Sequence, residues 1–311
     1  MASATTTMER PRTAGATAGP AGDPDRFGDL HPGPLGRFLW GTADSRALST
    51  ASRARLRKVA AAVAPGPFDI EAEGLNLRVY PADNHSDRVA FVRGRLPDRD
   101  ERDAIEPFLE EGGTFVDVGA NVGVYSLWAA RRLGPAGTVV AVEPHPVTAD
   151  KLAFNAAANA LSNVSIVRAA AGETDDEAEL HESGGGNVGQ SSLLRDVAFR
   201  PDDAIRVPMR PLDRILADED VESVDVMKID VEGYEDRALM PFLREAPDSL
   251  LPRAVVLETD VSDRWETDCL AALAARGYAP HAETVANAVL TRPRPRVLKA
   301  ADRKAEQPHR S

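Results

Sequence analysis

The run Thr114-Phe-Val-Asp-Val-Gly-Ala-Asn-Val-Gly-Val-Tyr-Ser126 constrains this chain most, because an apolar strand pattern stops at a glycine and a helical pattern follows at once. A strand-turn-helix junction of this kind holds charged small molecules. Gly119 and Gly123 let the backbone turn sharply and come close to a ligand, while the new helix presents unpaired N–H groups. Asp117 adds a negative charge beside the turn. The next apolar strand, Thr138 to Val142, runs into Glu143-Pro144. An acid at that point of a βαβ unit is placed to take both hydroxyls of a ribose.

Glycine spacing separates two nucleotide cofactors. A dinucleotide site uses G-x-G-x-x-G to bring the backbone against a pyrophosphate. After Gly119 the second and third positions of that pattern fall on Asn121 and Val124. The D-x-G-x-x-x-G form keeps an acid, Asp117, where a pyrophosphate would be repelled and an ammonium or sulfonium attracted. That favours S-adenosylmethionine over a nicotinamide dinucleotide. An oxidoreductase and a catalytically inactive S-adenosylmethionine-binding module are the rival readings.

Composition narrows the partners. The 311 residues, 43% of them apolar, suffice for one large core. A formal net charge of −12 argues against a nucleic-acid-binding surface, which needs clustered Lys and Arg. The lone Cys269 excludes an intrachain disulfide framework and reads as a small core residue. The histidines are scattered without metal-binding spacing, so no metal site is expected. No segment approaches the roughly 18 apolar residues of a membrane span, and the sequence reads as a soluble cytoplasmic protein.

Along the chain, residues 1–36 are poor in large apolar side chains and are expected to be a disordered tail. Residues 37–99 read as a lead-in: a helix from Arg46 to Ala64, alternation through Leu75, Leu77 and Val79, a turn from Pro81 to Asp87 and a return strand over Val89 to Val92. Residues 100–292 form the main domain, opening on a helix from Asp100 to Glu111. Its strands at Thr114, Thr138, Val164, Val224 and Ala254 are short, apolar and separated by helices, the pattern of a parallel sheet covered on both faces. Ile205 to Met209 is expected to pair with Ala178 to His181 as an inserted hairpin. Gly184 to Gly189, followed by Ser191-Ser192, reads as a lid or a plain surface loop. A helix from Trp265 to Arg276 precedes a closing antiparallel pair, Tyr278 to Glu283 with Ala288 to Thr291. Residues 293–311 are expected to be a second disordered tail.

Placed on these segments, Phe115-Val-Asp-Val-Gly-Ala-Asn-Val-Gly123, Val142-Glu-Pro-His-Pro146, Leu152 to Asn155 with Asn159, and above all Lys228-Ile-Asp-Val-Glu-Gly-Tyr-Glu235 resemble the FkbM family of S-adenosylmethionine-dependent methyltransferases. The resemblance covers about Phe68 to Arg292. It implies the α/β class I methyltransferase fold, a Rossmann-like, mostly parallel seven-stranded sheet in order 3-2-1-4-5-7-6 with strand 7 antiparallel, here with a small N-terminal helix and β-hairpin extension. It further implies O-methylation of a sugar-containing or polyketide-like small molecule. Asp117 and the loop Gly119, Ala120, Asn121 and Gly123 would hold the methionine end of the cofactor and Glu143-Pro144 the ribose. The adenine would lie near Ala170 to Glu173.

Ligands of open α/β sheets sit beyond the carboxyl ends of the strands, so Asp230, Glu232 and Glu258 should face the same crevice as Asp117 and Glu143. Asp230 or Glu232 is the candidate base for an acceptor hydroxyl, which is too weak an acid to ionise unaided. The bland alternative has Asp230 capping the next helix and Glu232 and Glu235 complementing its dipole. His145 is a weaker candidate base, read as a solvent-facing loop residue. Lys228 stands within a strand covered on both faces and needs a counter-charge, for which Asp117 or Glu258 is expected.

Overall fold

The computed structural model describes residues 26–181, 191–194 and 204–293. Helices α1 (Pro34–Ala43) and α2 (Thr50–Val63) precede a hairpin of β1 (Phe68–Ala72) and β2 (Leu75–Val79), then α3 (His85–Arg93) and α4 (Arg99–Ile105). An alternating series follows: β3 (Thr114–Val118), α5 (Val124–Leu133), β4 (Thr138–Val142), α6 (Pro146–Ala158) and β5 (Val164–Val167). Next come β6 (Ala170–Ala171), β7 (Asp176–His181) and β8 (Ala204–Arg210), which form a small separate sheet. The chain then runs through α7 (Leu212–Asp218), β9 (Val226–Ile229), α8 (Glu235–Glu245), β10 (Ala254–Glu258), α9 (Cys269–Ala275), β11 (Ala279–Glu283) and β12 (Asn287–Thr291).

The main sheet has the order β5-β4-β3-β9-β10-β12-β11, with β12 antiparallel to both neighbours and the other pairs parallel. Counted within the sheet this is 3-2-1-4-5-7-6 with strand 7 reversed, the class I methyltransferase fold. Alternation along β3 divides the core: Phe115 joins the apolar cluster on one face, and Val116 and Val118 join the cluster on the other. Val226 and Met227 of β9 divide in the same way. Asp117 and Lys228, paired in register across these strands, therefore share the first face. That face is the one the lead-in covers, since Trp40, Leu77 and Phe91 belong to its cluster.

The lead-in differs from its sequence reading in two places. The hairpin turns at Glu73-Gly74, both with positive φ (50° and 77°), as a tight two-residue turn requires. Val89 to Val92, expected as the return strand, lies in α3, whose N-cap Asn84 accepts a hydrogen bond from the Asp87 amide. A four-residue apolar run carries no period of its own, and the cap decides it. The expected tail also ends early. Asp69 accepts from the Gly28 and Leu30 amides, and α1 starts at Pro34 and buries Trp40, whose Nε1 donates to the Ala64 carbonyl. Pro34 at the first helical turn is the local signal for this helix. Residues 1–25 and 294–311 lie outside the described residues, as does the glycine run from 184 to 189.

Elsewhere the elements are shorter than expected. The helix from Asp100 is α4 plus a 3₁₀ turn at Glu106–Phe108, and the helix from Trp265 is a 3₁₀ turn at Ser262–Arg264 followed by α9. Cys269 is fully buried, and the inserted hairpin pairs Ala178 with Val207 as β7 and β8.

One ion pair ties the lead-in together. Asp69 and Arg78 face each other across the hairpin with Nε···Oδ1 at 2.7 Å, both almost fully buried. Burial alone would raise the Asp69 carboxyl, but Arg78 and the two backbone donors outweigh it and hold the carboxyl below its ordinary value. The contribution is therefore complete above the ordinary carboxylate value and is lost only in strong acid, as pH falls through the lowered one. Asp69→Asn leaves a buried guanidinium uncompensated and is expected to cost about 3 to 5 kcal/mol in urea unfolding at neutral pH.

Candidate active site

The sequence of β3 ends in a turn in which Gly119 and Asn121 take positive φ (80° and 51°) and Gly123 (93°) caps α5. The Gly119 and Ala120 amides donate to the Val142 carbonyl at 3.0 Å, which ties the turn to the end of β4. Space at the glycines is taken by the protein itself rather than reserved for a ligand. A Cβ on Gly119 would lie 1.9 Å from the Asp230 carbonyl oxygen, and one on Gly123 would lie 3.0 Å from Leu152.

A cavity of about 510 Å³ opens beyond the carboxyl ends of β3, β4, β9 and β10. Asp117, Gly119, Ala120, Asn121, Glu143, Pro144, Asp230 and Glu232 line it, as expected, together with Glu258 and Lys228. Gly123 and Glu173 do not: Gly123 sits beneath the turn, and Glu173 is exposed outside the cavity. Ala169, Ala170 and Ala171, in the stretch where the resemblance implies the adenine, line the cavity instead. Among the lining residues that the sequence reading did not assign to the site are Asn84, Arg88 and Asp98 from the lead-in and Asn287 from β12. Only the Asn84 cap had a local signal, and that signal announced a helix rather than a site.

Glu143 is buried, with Oε2 accepting from the Asn121 amide and Oε1 from the His145 amide, both at 2.8 Å. Each oxygen keeps a second lone pair for a hydroxyl donor. Burial pushes this carboxyl up to about 7 against the pull of those two amides. His145 is buried rather than solvent-facing and outside the cavity lining. It is the N-cap of α6, accepting at Nδ1 from the Thr148 amide.

Asp117 is 1% exposed. Its Oδ2 accepts from the Ser126 hydroxyl at 2.6 Å, while Oδ1 has no hydrogen-bond partner among the described residues. The Tyr125 hydroxyl in the same wall is likewise buried and has no hydrogen-bond partner among the described residues. Burial raises the Asp117 carboxyl, with Lys228 and Ser126 opposing.

Lys228 bonds to neither expected partner. Its Nζ lies 2.7 Å from Oδ2 of Asp230, two residues along its own chain and on the same side. Burial alone would depress the ammonium, but Asp230 and then Asp117 overcome it and raise it. Asp230 is thus held by a cation and caps no helix; α8 begins at Glu235 with Tyr234 as N-cap. Lys228→Met leaves Asp117 and Asp230 facing each other without a counter-charge. Because Asp230 is partly solvated, a loss of about 2 kcal/mol is expected in urea unfolding, together with weaker cofactor binding in calorimetry.

Glu232 sits in the left-handed region (φ 57°) before Gly233 (φ 98°). Three partners fix this strained turn. Glu235 Oε1 accepts from the Val231 and Gly233 amides at 2.9 and 3.0 Å, Glu258 accepts from the Glu232 amide at 3.1 Å, and the Ser192 hydroxyl donates to the Glu232 carbonyl at 2.9 Å. Glu235 also takes the Trp265 indole N–H, so it clamps the turn rather than merely complementing a dipole. The Glu232 carboxylate accepts no hydrogen bond from the described residues. Oxygens of Asp230, Glu232 and Glu258 all lie within 4.8 Å of one another. Burial first, then the Asp230 charge, push Glu232 and Glu258 far above the ordinary carboxylate range.

A profile of the methyltransferase FkbM domain matches residues 117–278, more than half of the chain. The chain belongs to the FkbM methyltransferase family. Among curated proteins, methyltransferase sdnD of Sordaria araneosa is 28% identical over 180 residues, covering 49% of this chain. The match spans 66% of that relative's own length. Among solved structures, an S-adenosylmethionine-dependent O-methyltransferase of Thermotoga maritima aligns at 14% identity with a TM-score of 0.38, over 78% of this chain and 82% of that one. A methyltransferase of the same cofactor class from Aquifex aeolicus aligns at 14% identity with a TM-score of 0.37, over 62% and 88%. Strand order and direction define the fold.

S-adenosylmethionine is the cofactor of the FkbM family, and the residues of this FkbM domain suit it. The unpartnered Oδ1 of Asp117 is an acceptor fit for an ammonium donor, and Glu143 retains lone pairs for ribose hydroxyls. Among the described residues no helix is long and apolar enough to cross a membrane.

Proposed function

We propose that this chain is an S-adenosylmethionine-dependent O-methyltransferase acting on a hydroxyl of a sugar-containing or polyketide-like small molecule. Glu232 is the proton acceptor in this reading. The observation that carries it is a cavity-lining carboxyl in a strained turn, accepting no hydrogen bond from the described residues and raised by burial and by neighbouring acids. When bound, the cofactor supplies a methyl group on a sulfonium, and its transfer to an alcohol leaves one proton to be removed. Glu232 takes that proton, while Asp230, tied to Lys228, holds a fixed negative charge beside it. Asp117 binds the cofactor ammonium, Glu143-Pro144 the ribose, and the Gly119 to Asn121 turn orients both.

The acids around the cavity also favour a neutral or cationic acceptor over nucleic acid, whose phosphates they would repel. Incubating the protein with S-adenosylmethionine and a panel of hydroxylated glycosides and polyketides tests the reading. Release of S-adenosylhomocysteine with an O-methylated product supports it; binding of cofactor without turnover on any acceptor counts against it.

A further inference from the structure

Cation placement in the cavity wall is uneven. Among the described residues the Lys and Arg side chains that line it are Lys228 and Arg88, and Lys228 is committed to Asp230. Arg88 has no carboxylate partner among the described residues. One terminal nitrogen meets Nδ1 of His85 at 2.6 Å, and its Nε is buried without an acceptor. The nearby acid, Asp44, is already shared by Arg57 at 3.1 Å and Arg93 at 3.6 Å. Burial and the Arg57 charge accordingly hold the guanidinium below its ordinary value, with Asp44 opposing.

The position of Arg88 is equally specific. Asn84, the N-cap of α3, donates from Nδ2 to Oδ1 of Asn121 at 2.7 Å and so pins α3 to the turn after β3. Arg88 stands four residues further on, one helical turn along the same face. A cation is thus held beside the turn near which Asp117 carries its unpartnered oxygen. An α-amino acid needs that combination, an acid for its ammonium and a guanidinium fork for its carboxylate.

We propose that Arg88, which lies outside the matched residues 117–278, binds the carboxylate of the cofactor's amino-acid end, so that the lead-in completes the cofactor site. This rests on the S-adenosylmethionine reading above. An acidic group on the acceptor is the other source of the same chemistry, and the choice of ligands separates the two.

Calorimetry on wild type, Arg88→Met and Arg88→Lys would use S-adenosylhomocysteine and its decarboxylated analogue, which keeps the amine and loses only the carboxylate. A lost charge-assisted pair corresponds to about 10- to 100-fold in affinity. Arg88→Met should therefore weaken S-adenosylhomocysteine by that factor and leave the decarboxylated analogue unchanged, which also reports that the variant is folded. Arg88→Lys should recover part of the loss. If Arg88→Met binds S-adenosylhomocysteine as tightly as wild type, or weakens both ligands alike, the assignment of Arg88 is wrong and the cofactor reading stands. If wild type binds neither ligand, the cofactor reading itself falls and takes the assignment with it.

Discussion

Gly119→Ala is expected to abolish S-adenosylhomocysteine binding in calorimetry and to lower the unfolding midpoint. The added methyl would lie 1.9 Å from the Asp230 carbonyl oxygen and 2.9 Å from its carbon, contacts that no side-chain rotation relieves. A φ of 80° adds the strain of a left-handed alanine. Either the turn after β3 or the strand end at Asp230 must move. Both carry cavity residues, so a shift of even 1 Å would cost about 100-fold in transfer rate. The contrast is Gly277→Ala, where φ is 86° but nothing lies within 4 Å of the new Cβ. That variant should lose roughly 1 kcal/mol of stability and keep cofactor binding. Equal binding by Gly119→Ala and wild type would show that the turn and the Asp230 strand end are not packed as described.

The second large effect belongs to Glu232. Glu232→Gln keeps the shape of the side chain and removes the base, so the methyl-transfer rate should fall by about 10² to 10⁴ while affinity for S-adenosylhomocysteine stays within about threefold. The wild-type rate should also rise with pH, because a base works ionised and this carboxyl is pushed up to about 8. The rising limb should vanish in the variant. Stability should move the opposite way. Ionising Glu232 in the fold is disfavoured, a penalty absent below its ordinary value of 4.5 and complete above the raised one. Glu232→Gln escapes that penalty, so its melting temperature relative to wild type should climb through this window. A variant that is both slower and more stable at alkaline pH is the signature of a strained functional residue.

The parts of this architecture that were legible in the sequence share a physical basis. β3, β4, β9 and β10 are buried on both faces, so their apolar runs stand out, and the rule that ligands gather at strand ends then brings Asp117, Glu143, Asp230 and Glu232 together. Arg88 and Asp98 reach the cavity only because the lead-in docks on the Asp117 face, and no local pattern encodes docking. The partner of Lys228 differs from the expected one for a related reason. Adjacent strands offered Asp117 and Glu258, but the residue two ahead on the same side was nearer. Glu173 has only its position near the end of β5 to connect it with the site, and it faces solvent.

The way the lead-in hairpin meets α6 bears on how such a domain could diversify. Asn155 accepts from the Arg78 amide at 2.8 Å, and Asn159 accepts from the Asn76 amide and donates to its carbonyl at 2.8 and 2.7 Å. These two asparagines grip peptide groups, which every hairpin possesses whatever its side chains. Exchange of solvent-facing side chains along the hairpin would therefore leave the grip intact. Polar residues at the cavity mouth are therefore free to vary, provided that Trp40, Leu77 and Phe91 keep filling the apolar face of the sheet beneath them.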